Sequence, residues 1–361
     1  MLTLLMVSMA LHLGAQTSVN NAVTEYSQLI HNYNLISLGS ATFDNYGDTE
    51  GPLAINGNLT LTGSGAVATQ PAEFGLTSNP TLYVNGQLTL GGTNMLNSGY
   101  ASLPNLTGTW TWNASQKTLT GGGGALSSIN SSSPQAGNNP RTNPAPSGWN
   151  WSTLSSSFTA ISNTLAAATT NGTITISGQT MSFVAPTGMT SGVAVFTLNA
   201  ALLNGDMYNG TMFSNVQFNV PNNIDFVINV INAAGTTIFG TGVNFNSGGN
   251  YDQLLWNIEP TMSGGHPVTT SVSLGNGGDF YGSVLAPEVD ISNACNAIID
   301  GQVVAANFDD EGAELHYTGF VAVLVPEPGT YGAGAVVLCG LAIAWRHRRN
   351  RSGLGRQPEP L

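Results

Sequence analysis

The chain has 361 residues, 41% of them hydrophobic, which allows a sizeable core and excludes wholesale disorder. Charged residues make up only 7%, and Gly, Asn, Ser and Thr take their place, a composition suited to a β-rich extracellular protein with many tight turns. Residues 1–345 carry two cations, Lys117 and Arg141, against 18 acids; this net of −16 repels phosphate backbones and excludes nucleic acid as a partner. Length alone allows one large or two medium domains. Of the two cysteines, Cys339 lies in an apolar C-terminal run and Cys295 in the body, so this is no disulfide scaffold and Cys295 reads as a small buried hydrophobe.

Residues 1–15 read as a secretory signal peptide, apolar from Leu2 to Leu13, with small Ala15 just before a possible cut at Gln16. No Lys or Arg precedes the apolar run, which points to a true start upstream; a buried N-terminal helix is the alternative. Residues 21–31 follow as a short helix with Val23, Tyr26 and Ile30 on one face. Residues 33–39 read as a strand.

Two internal echoes come next. Residues 53–61 return as 82–90, each a strand, an Asn-Gly corner and a strand. Residues 280–286 return as 299–305. Short strands recurring with Gly turns predict the coils of a β-solenoid, right-handed and β-helix-like, in which each coil buries its side chains under the next. A β-sandwich with regular hairpins is the rival.

Residues 96–148 are turn-rich, with a hairpin at 109–120 and then a long exposed loop. Gly121 to Gly124 read as flexible loop, since no Lys-Ser/Thr and no helix start follow to make a phosphate cradle. Residues 151–168 form the one good helix of the body. Trp151, Leu154, Phe158, Ile161, Leu165 and Ala168 make one apolar stripe that lies against the flank of the β-structure. Asn171 and Gly172 end it. Strands follow at 173–177, 181–185, 193–198, 216–220, 225–231, 237–239 and 253–258, rich in Val, Ile, Phe and Thr.

The densest polar cluster is Asp309, Asp310, Glu311, Glu314 and His316. It reads as a solvated acidic turn. The alternative is a Ca²⁺ site with Asp309, Asp310 and Glu314 as ligands, although the alternating Asp-x-Asp-x spacing is missing. Asp44, Asp48 and Glu50 make a similar case. No other cofactor is expected. His316 is the body histidine beside acids, but no Gly-x-Ser-x-Gly elbow accompanies it, so a non-enzyme is expected. A polysaccharide hydrolase using a carboxylate pair is the alternative.

The tail has three parts in order: Val325, Pro326, Glu327 and Pro328; an uncharged run at 331–345; then Arg346, Arg348, Arg349 and Arg351. The prolines keep the signal extended. The run has 15 residues, short of the roughly 20 of a spanning helix, and snorkelling of Arg346 makes up part of the difference. The arginines mark the cytoplasmic side.

This tail resembles the PEP-CTERM sorting signal of Gram-negative bacteria. The resemblance implies an exosortase partner that cuts at or near the Pro-Glu-Pro. It also implies an inner-membrane intermediate and transfer to the cell surface or exopolysaccharide matrix. The alternative is a permanent membrane-anchored scaffold.

A second resemblance rests on Asn34 to Gly39, Asp48 to Gly51, Leu53 to Asn58, the mid-body helix and the closing Glu314, Leu315 and His316. These are similar to the choice-of-anchor A domain, an adhesive surface module; Pro52 departs from its usual basic residue. The resemblance implies adhesion to extracellular polysaccharide or a surface protein. The expected organisation is a signal peptide at 1–15, an adhesive β-domain at 16–322, a sorting signal at 323–351 with a transmembrane helix at 331–345, and a cytoplasmic tail at 352–361.

Overall fold

The two internal echoes are neighbouring coils of a parallel solenoid. Leu53, Ile55, Leu59 and Leu61 pair in register with Leu82, Val84, Leu88 and Leu90. Phe280, Val284 and Ala286 pair likewise with Ile299, Val303 and Ala305. In this computed structural model the described residues are 2–70, 80–239, 243–247, 250–263, 266–268, 271–275, 279–293 and 298–323. The chain divides into a unit Ser18–Val323 and a unit of residues 1–17 and 324–361; the architecture below is that of the first.

Two sheets run the length of the solenoid, one of nine strands and one of seven. Neighbouring strands in both are parallel throughout, for example Leu35–Ser37 against Leu53–Ile55 and Ala41–Phe43 against Leu59–Leu61. The β-sandwich alternative fails on this point, because sandwich sheets are built from antiparallel strands.

Strand order shows how the coils are laid down. The nine-stranded sheet runs Gly192–Asn199, Ile224–Ile231, Leu254–Ile258, Ser283–Ala286, Val303–Ala305, Leu35–Ser37, Leu53–Ile55, Leu82–Val84, Ala101–Ser102. The chain therefore begins in the middle and builds outward to one end. It then starts again at the opposite end and builds back, until its last coil meets its first. Leu35 pairs with Val303 and Ala41 with Phe308 at this seam. Asn34 pins it: its Nδ2 donates to Gly301 O at 2.7 Å, and its Oδ1 accepts from Gly51 N at 3.1 Å.

The nine-stranded sheet is apolar on both sides. Leu35, Leu53 and Leu82 face the interior, and Ile36, Ala54, Tyr83, Val195, Val227, Leu255, Leu285 and Val304 face out into a second core. Two helices cover that outer side. The first is residues 18–30 of α1, a helix that spans Leu2–Ile30 and so is far longer than the short one expected at 21–31; Gln16 lies within it. Val19, Val23, Tyr26 and Ile30 are buried. Gln302 Nε2 caps its end by donating to Ile30 O at 2.9 Å and Tyr33 O at 2.8 Å.

The second helix, α2, spans Trp151–Ala166 and buries Phe158, Ile161 and Leu165 as its stripe requires. Asn150 caps its start, accepting from Thr153 N at 2.9 Å. The helix stops before Asn171 and Gly172, which do not end it. Their N–H groups both donate to Val195 O, closing the edge of the nine-stranded sheet. Only glycine fits there, since an added Cβ at Gly172 would lie 2.2 Å from Phe196 Cε1.

Each end of the solenoid is closed by an antiparallel hairpin. At one end Thr111–Asn113, Thr118–Gly121 and Gly124–Ser127 fold over the last coil. Gly121 and Gly124 thus belong to strands, not to the flexible loop expected, and an added Cβ on Gly124 would meet Gly92 O at 2.2 Å. At the other end Thr173–Ser177 and Thr180–Val184 do the same.

No helix among the described residues is long and apolar enough to cross a membrane. The expected transmembrane run 331–345, the sorting residues Val325, Pro326, Glu327 and Pro328, the arginines Arg346, Arg348, Arg349 and Arg351, and both cysteines lie outside the described residues.

Candidate adhesive face

The seven-stranded sheet stacks in the same parallel way, but its outward positions are hydroxylated. Its strands run Thr237–Ile238, Ser271–Leu274, Asp290–Asn293, Phe308–Asp310, Ala41–Phe43, Leu59–Leu61, Leu88–Leu90. Ile238, Val272, Leu274, Ile291, Phe308, Phe43, Leu61 and Leu90 are buried. Alternation turns the residue beside each of these outward.

Those outward residues form one continuous line. Thr237 pairs with Ser273, Ser273 with Ser292, Ser292 with Asp309, Asp309 with Thr42, Thr42 with Thr60 and Thr60 with Thr89. At a strand spacing of about 4.8 Å, six steps extend roughly 29 Å. Thr89 and Asp309 are exposed and the rest half-buried. The Ser273 and Ser292 hydroxyls lie 3.0 Å apart and share a hydrogen bond. Threonine side chains are stiff at χ1, so the hydroxyls are held in place before any ligand arrives.

A rim of side-chain hydrogen bonds fixes the stacking. Asn307 Nδ2 donates to Asp290 Oδ1 at 2.7 Å, while its Oδ1 accepts from Ser40 N at 2.8 Å. Ser40 Oγ accepts from Asn58 N at 3.1 Å, and Asn58 Oδ1 accepts from Gln87 N at 2.9 Å. A shallow depression of about 330 Å³ lies at the seam, lined by Ser40, Thr42, Ser271, Asp290, Ser292, Asn307 and Asp309 among others.

The acidic candidates do not converge. Asp309 faces out on the sheet and Asp310 faces in, as adjacent strand residues must. Glu314 lies elsewhere, its Oε2 3.2 Å from His316 Nε2. Among the described residues no group of three His, Cys, Asp or Glu could hold a metal ion. Burial, then Glu311 and Asp44, raise the Asp309 carboxyl. Asp310 is pushed up to about 7, by burial first, against the Ala313 N–H that lowers it, and with Asp309, Asp44 and Glu311 adding to the rise. Its Oδ1 accepts from Ala313 N at 3.1 Å, and its Oδ2 has no partner among the described residues.

Asp44 bonds the Thr62 hydroxyl at the edge of the seven-stranded sheet, and Glu50 accepts from Tyr317 N at 2.8 Å. His316 has both ring nitrogens occupied, Nδ1 3.3 Å from Asp300 and Nε2 at Glu314. Burial lowers its pKa, but Glu50, the Glu314 hydrogen bond and Asp300 together raise it above the ordinary value. No hydroxyl or thiol side chain among the described residues bonds to it, so no nucleophile–base pair forms there.

The sequence, rich in Thr, Ser and Asn, points to repeats and to β faces that present hydroxyls and amides, but not to which residues line one. The signal was present as a triplet with hydroxyl between apolar residues: Ala41-Thr42-Phe43, Leu59-Thr60-Leu61, Leu88-Thr89-Leu90 and Val272-Ser273-Leu274. Each triplet alone is an ordinary strand; only the coil order brings them into one line.

Against known proteins, a family model described as "Putative Ice-binding-like adhesive domain" matches residues 26–317. No curated protein matches the chain. Among solved structures, an ice-binding protein from an Arctic yeast is 11% identical with TM-score 0.36, covering 83% of this chain and 96% of that one. An ice-binding domain from Shewanella frigidimarina is 10% identical with TM-score 0.33, covering 81% and 95%. An ice-binding protein from an Antarctic biological consortium is 14% identical with TM-score 0.30, covering 80% and 87%. The family match takes in both halves of the solenoid, the helix α2 and the hydroxylated sheet, and the chain belongs to the family of ice-binding-like adhesive domains.

Proposed function

We propose that this is an exported, non-enzymatic surface or matrix protein that adheres through the hydroxylated face of its seven-stranded sheet. Membership of an adhesive family fits a non-enzymatic protein at the cell surface or outside the cell. The observation that carries the site is the in-register line from Thr237 to Thr89 on the sheet that α1 and α2 leave open. Such a face suits a flat ligand with repeating hydroxyls, and extracellular polysaccharide is the ligand of choice. Each hydroxyl contact is weak, but a line of fixed donors and acceptors engages many at once, so avidity compensates for the single contact.

The tail supplies the address. Its order of Val325, Pro326, Glu327 and Pro328, apolar run and arginines resembles a PEP-CTERM signal. In this reading residues 1–15 direct export, 331–345 hold an inner-membrane intermediate, and an exosortase cuts near Pro326. The body would then be a choice-of-anchor A domain.

Two experiments test this. Full-length protein and its Thr60→Tyr variant are compared on a glycan array and on isolated exopolysaccharide. Wild-type binding weakened at least about tenfold by the bulky ring is expected, and equal binding by both removes the face from the reading. Mass spectrometry of the C-terminus in the host should find an end between residues 326 and 330; an intact Leu361 rejects sorting.

A second reading, adhesion to ice, is favoured by the family description and by the uninterrupted run Thr42, Thr60 and Thr89. Asp309 and Asp290 on the same face weigh against it, because carboxylates hold their own hydration. Partition of the protein into a slowly growing ice front distinguishes the two ligands.

A further inference from the structure

The two hairpins that close the solenoid leave edge strands, and edge strands are ordinarily protected by charge, proline, bulges or a cover. Among the described residues the strand Thr173–Ser177, Thr-Ile-Thr-Ile-Ser, has none of these. It contains no charge and no proline, and it pairs on one side only, with Thr180–Val184. Among the described residues no backbone group pairs with its other side.

Turn geometry identifies which groups face that free side. The hairpin loop is the two residues Gly178 and Gln179, with Gly178 at φ +60°. A two-residue loop makes Ser177 and Thr180 a hydrogen-bonded pair, and antiparallel ladders alternate. Thr175 and Thr173 therefore also bond inward to the partner strand. The N–H and C=O groups of Ile174 and Ile176 point outward at the edge.

We propose that this edge docks a second copy of the chain, its strand running antiparallel to the first about a two-fold axis at Thr175. In that register Ile174 of each copy faces Ile176 of the other as a hydrogen-bonded pair, and the four outward groups of each strand are satisfied. Side chains match as well. Ile174 and Ile176 are half-buried against the core, so the apolar side continues across the junction. Thr173, Thr175 and Ser177 are exposed on the opposite side, where Thr–Thr and Thr–Ser cross-strand pairs are favourable. The four-stranded sheet would become one of eight strands.

The strand Thr-Ile-Thr-Ile-Ser is nearly symmetric about Thr175, which suits a second copy, and charge permits one at this end. No Asp, Glu, Lys, Arg or His occurs from Thr142 to Gly205. The acids concentrate where the two halves of the solenoid meet, with 11 of them in residues 44–50 and 279–316. Two bodies of the same strongly negative charge repel when their middles approach. Contact through the charge-free end keeps those acidic coils farthest apart. The arrangement also places two hydroxylated faces in one particle, which multiplies weak adhesion whatever the ligand.

Sedimentation velocity of the full-length protein over the micromolar range tests this. A monomer–dimer equilibrium is expected. Thr175→Lys sets two like charges opposite each other at the axis and should weaken the dimer about five- to tenfold at low salt, with recovery at high salt. Thr89→Lys, on the hydroxylated face, should leave it unchanged. Thr175 is exposed, and a thermal melt confirms that the Lys variant folds. Hydrogen exchange adds a reading that needs no variant: amides of Ile174 and Ile176 should slow as concentration rises, and that of Thr175 should not. A wild-type monomer throughout overturns the proposal, as does a Thr175→Lys protein that dimerises as tightly as wild type.

Discussion

The nine-stranded and seven-stranded sheets are made by the same coils, with the same parallel register, and they differ in one position per strand. On the first the outward residue is Ile36, Ala54, Tyr83, Val227, Leu255, Leu285 or Val304. On the second it is Thr42, Thr60, Thr89, Thr237, Ser273, Ser292 or Asp309. The apolar face binds the chain's own helices, and no helix among the described residues covers the hydroxylated face. Inward positions build the solenoid; outward positions decide what each face meets.

Breaking the covered face should have the largest effect. Phe158 of α2 is fully buried, with its ring centroid 6.4 Å from that of Tyr26 of α1. Phe158→Ala should cost about 3–5 kcal/mol in urea unfolding, since it leaves a cavity between helix and sheet. The polar contact under the same helix comes next. Asn257 Nδ2 donates to Asn229 Oδ1 at 2.9 Å and to Ser162 O at 3.1 Å, while the Ser162 hydroxyl donates to Asn257 Oδ1 at 2.7 Å. Asn257→Ala strands these buried partners and should cost about 2 kcal/mol by the same measurement.

Two buried carboxyls, Asp310 inside the seven-stranded sheet and Asp225 in the nine-stranded one, offer a test of opposite sign. Asp310 and Asp225 are both pushed up to about 7, mainly by burial, against backbone N–H groups that lower them. A carboxyl whose folded pKa exceeds its unfolded value stabilises the fold below the unfolded pKa, and that stability is lost as pH rises to the folded one. Thermal midpoints should therefore fall between about pH 4 and 7 and level off above. Asp310→Asn keeps an acceptor for Ala313 N and removes the charge. It should raise stability at pH 8 by roughly 2 kcal/mol and flatten the pH profile.

The smallest stability effect sharpens the comparison most. Thr60→Val changes an outward position of the open face and should alter stability by no more than about 0.5 kcal/mol. If the face is adhesive, ligand binding weakens while the melt stays in place. The same exchange of polarity on the covered face, Leu285→Thr, should do the reverse: a lowered melting temperature with ligand binding per folded molecule intact.

Much of the fold is legible locally. The α2 stripe, the Asn-Gly corners and the strand at 254–258 depend on the periods of a helix or strand, which neighbouring residues establish. The echoes even report which coils stack, because Leu53 and Leu82 share one environment repeated. Other features are not local. The pairing of Leu35 with Val303 leaves no trace near either residue, and the jump that starts the second half at the opposite end is visible only in strand order. Asn171 and Gly172 read as a helix stop by composition, yet a sheet edge far along the chain claims their N–H groups. The acidic run at 309–314 reads as one cluster, but strand alternation sends Asp309 and Asp310 to opposite sides of the sheet.

By itself the sequence determined a charge-poor β-chain with repeated coils, one amphipathic helix in mid-body and a tail of distinct chemistry. These follow from composition and short-range period, which need no partner. Only the tertiary structure decided which face is covered and which is open, since that depends on where α1 and α2 come to lie. It also decided that six hydroxyls from both halves of the chain fall in one line, because stacking brings into register residues that the chain itself keeps far apart.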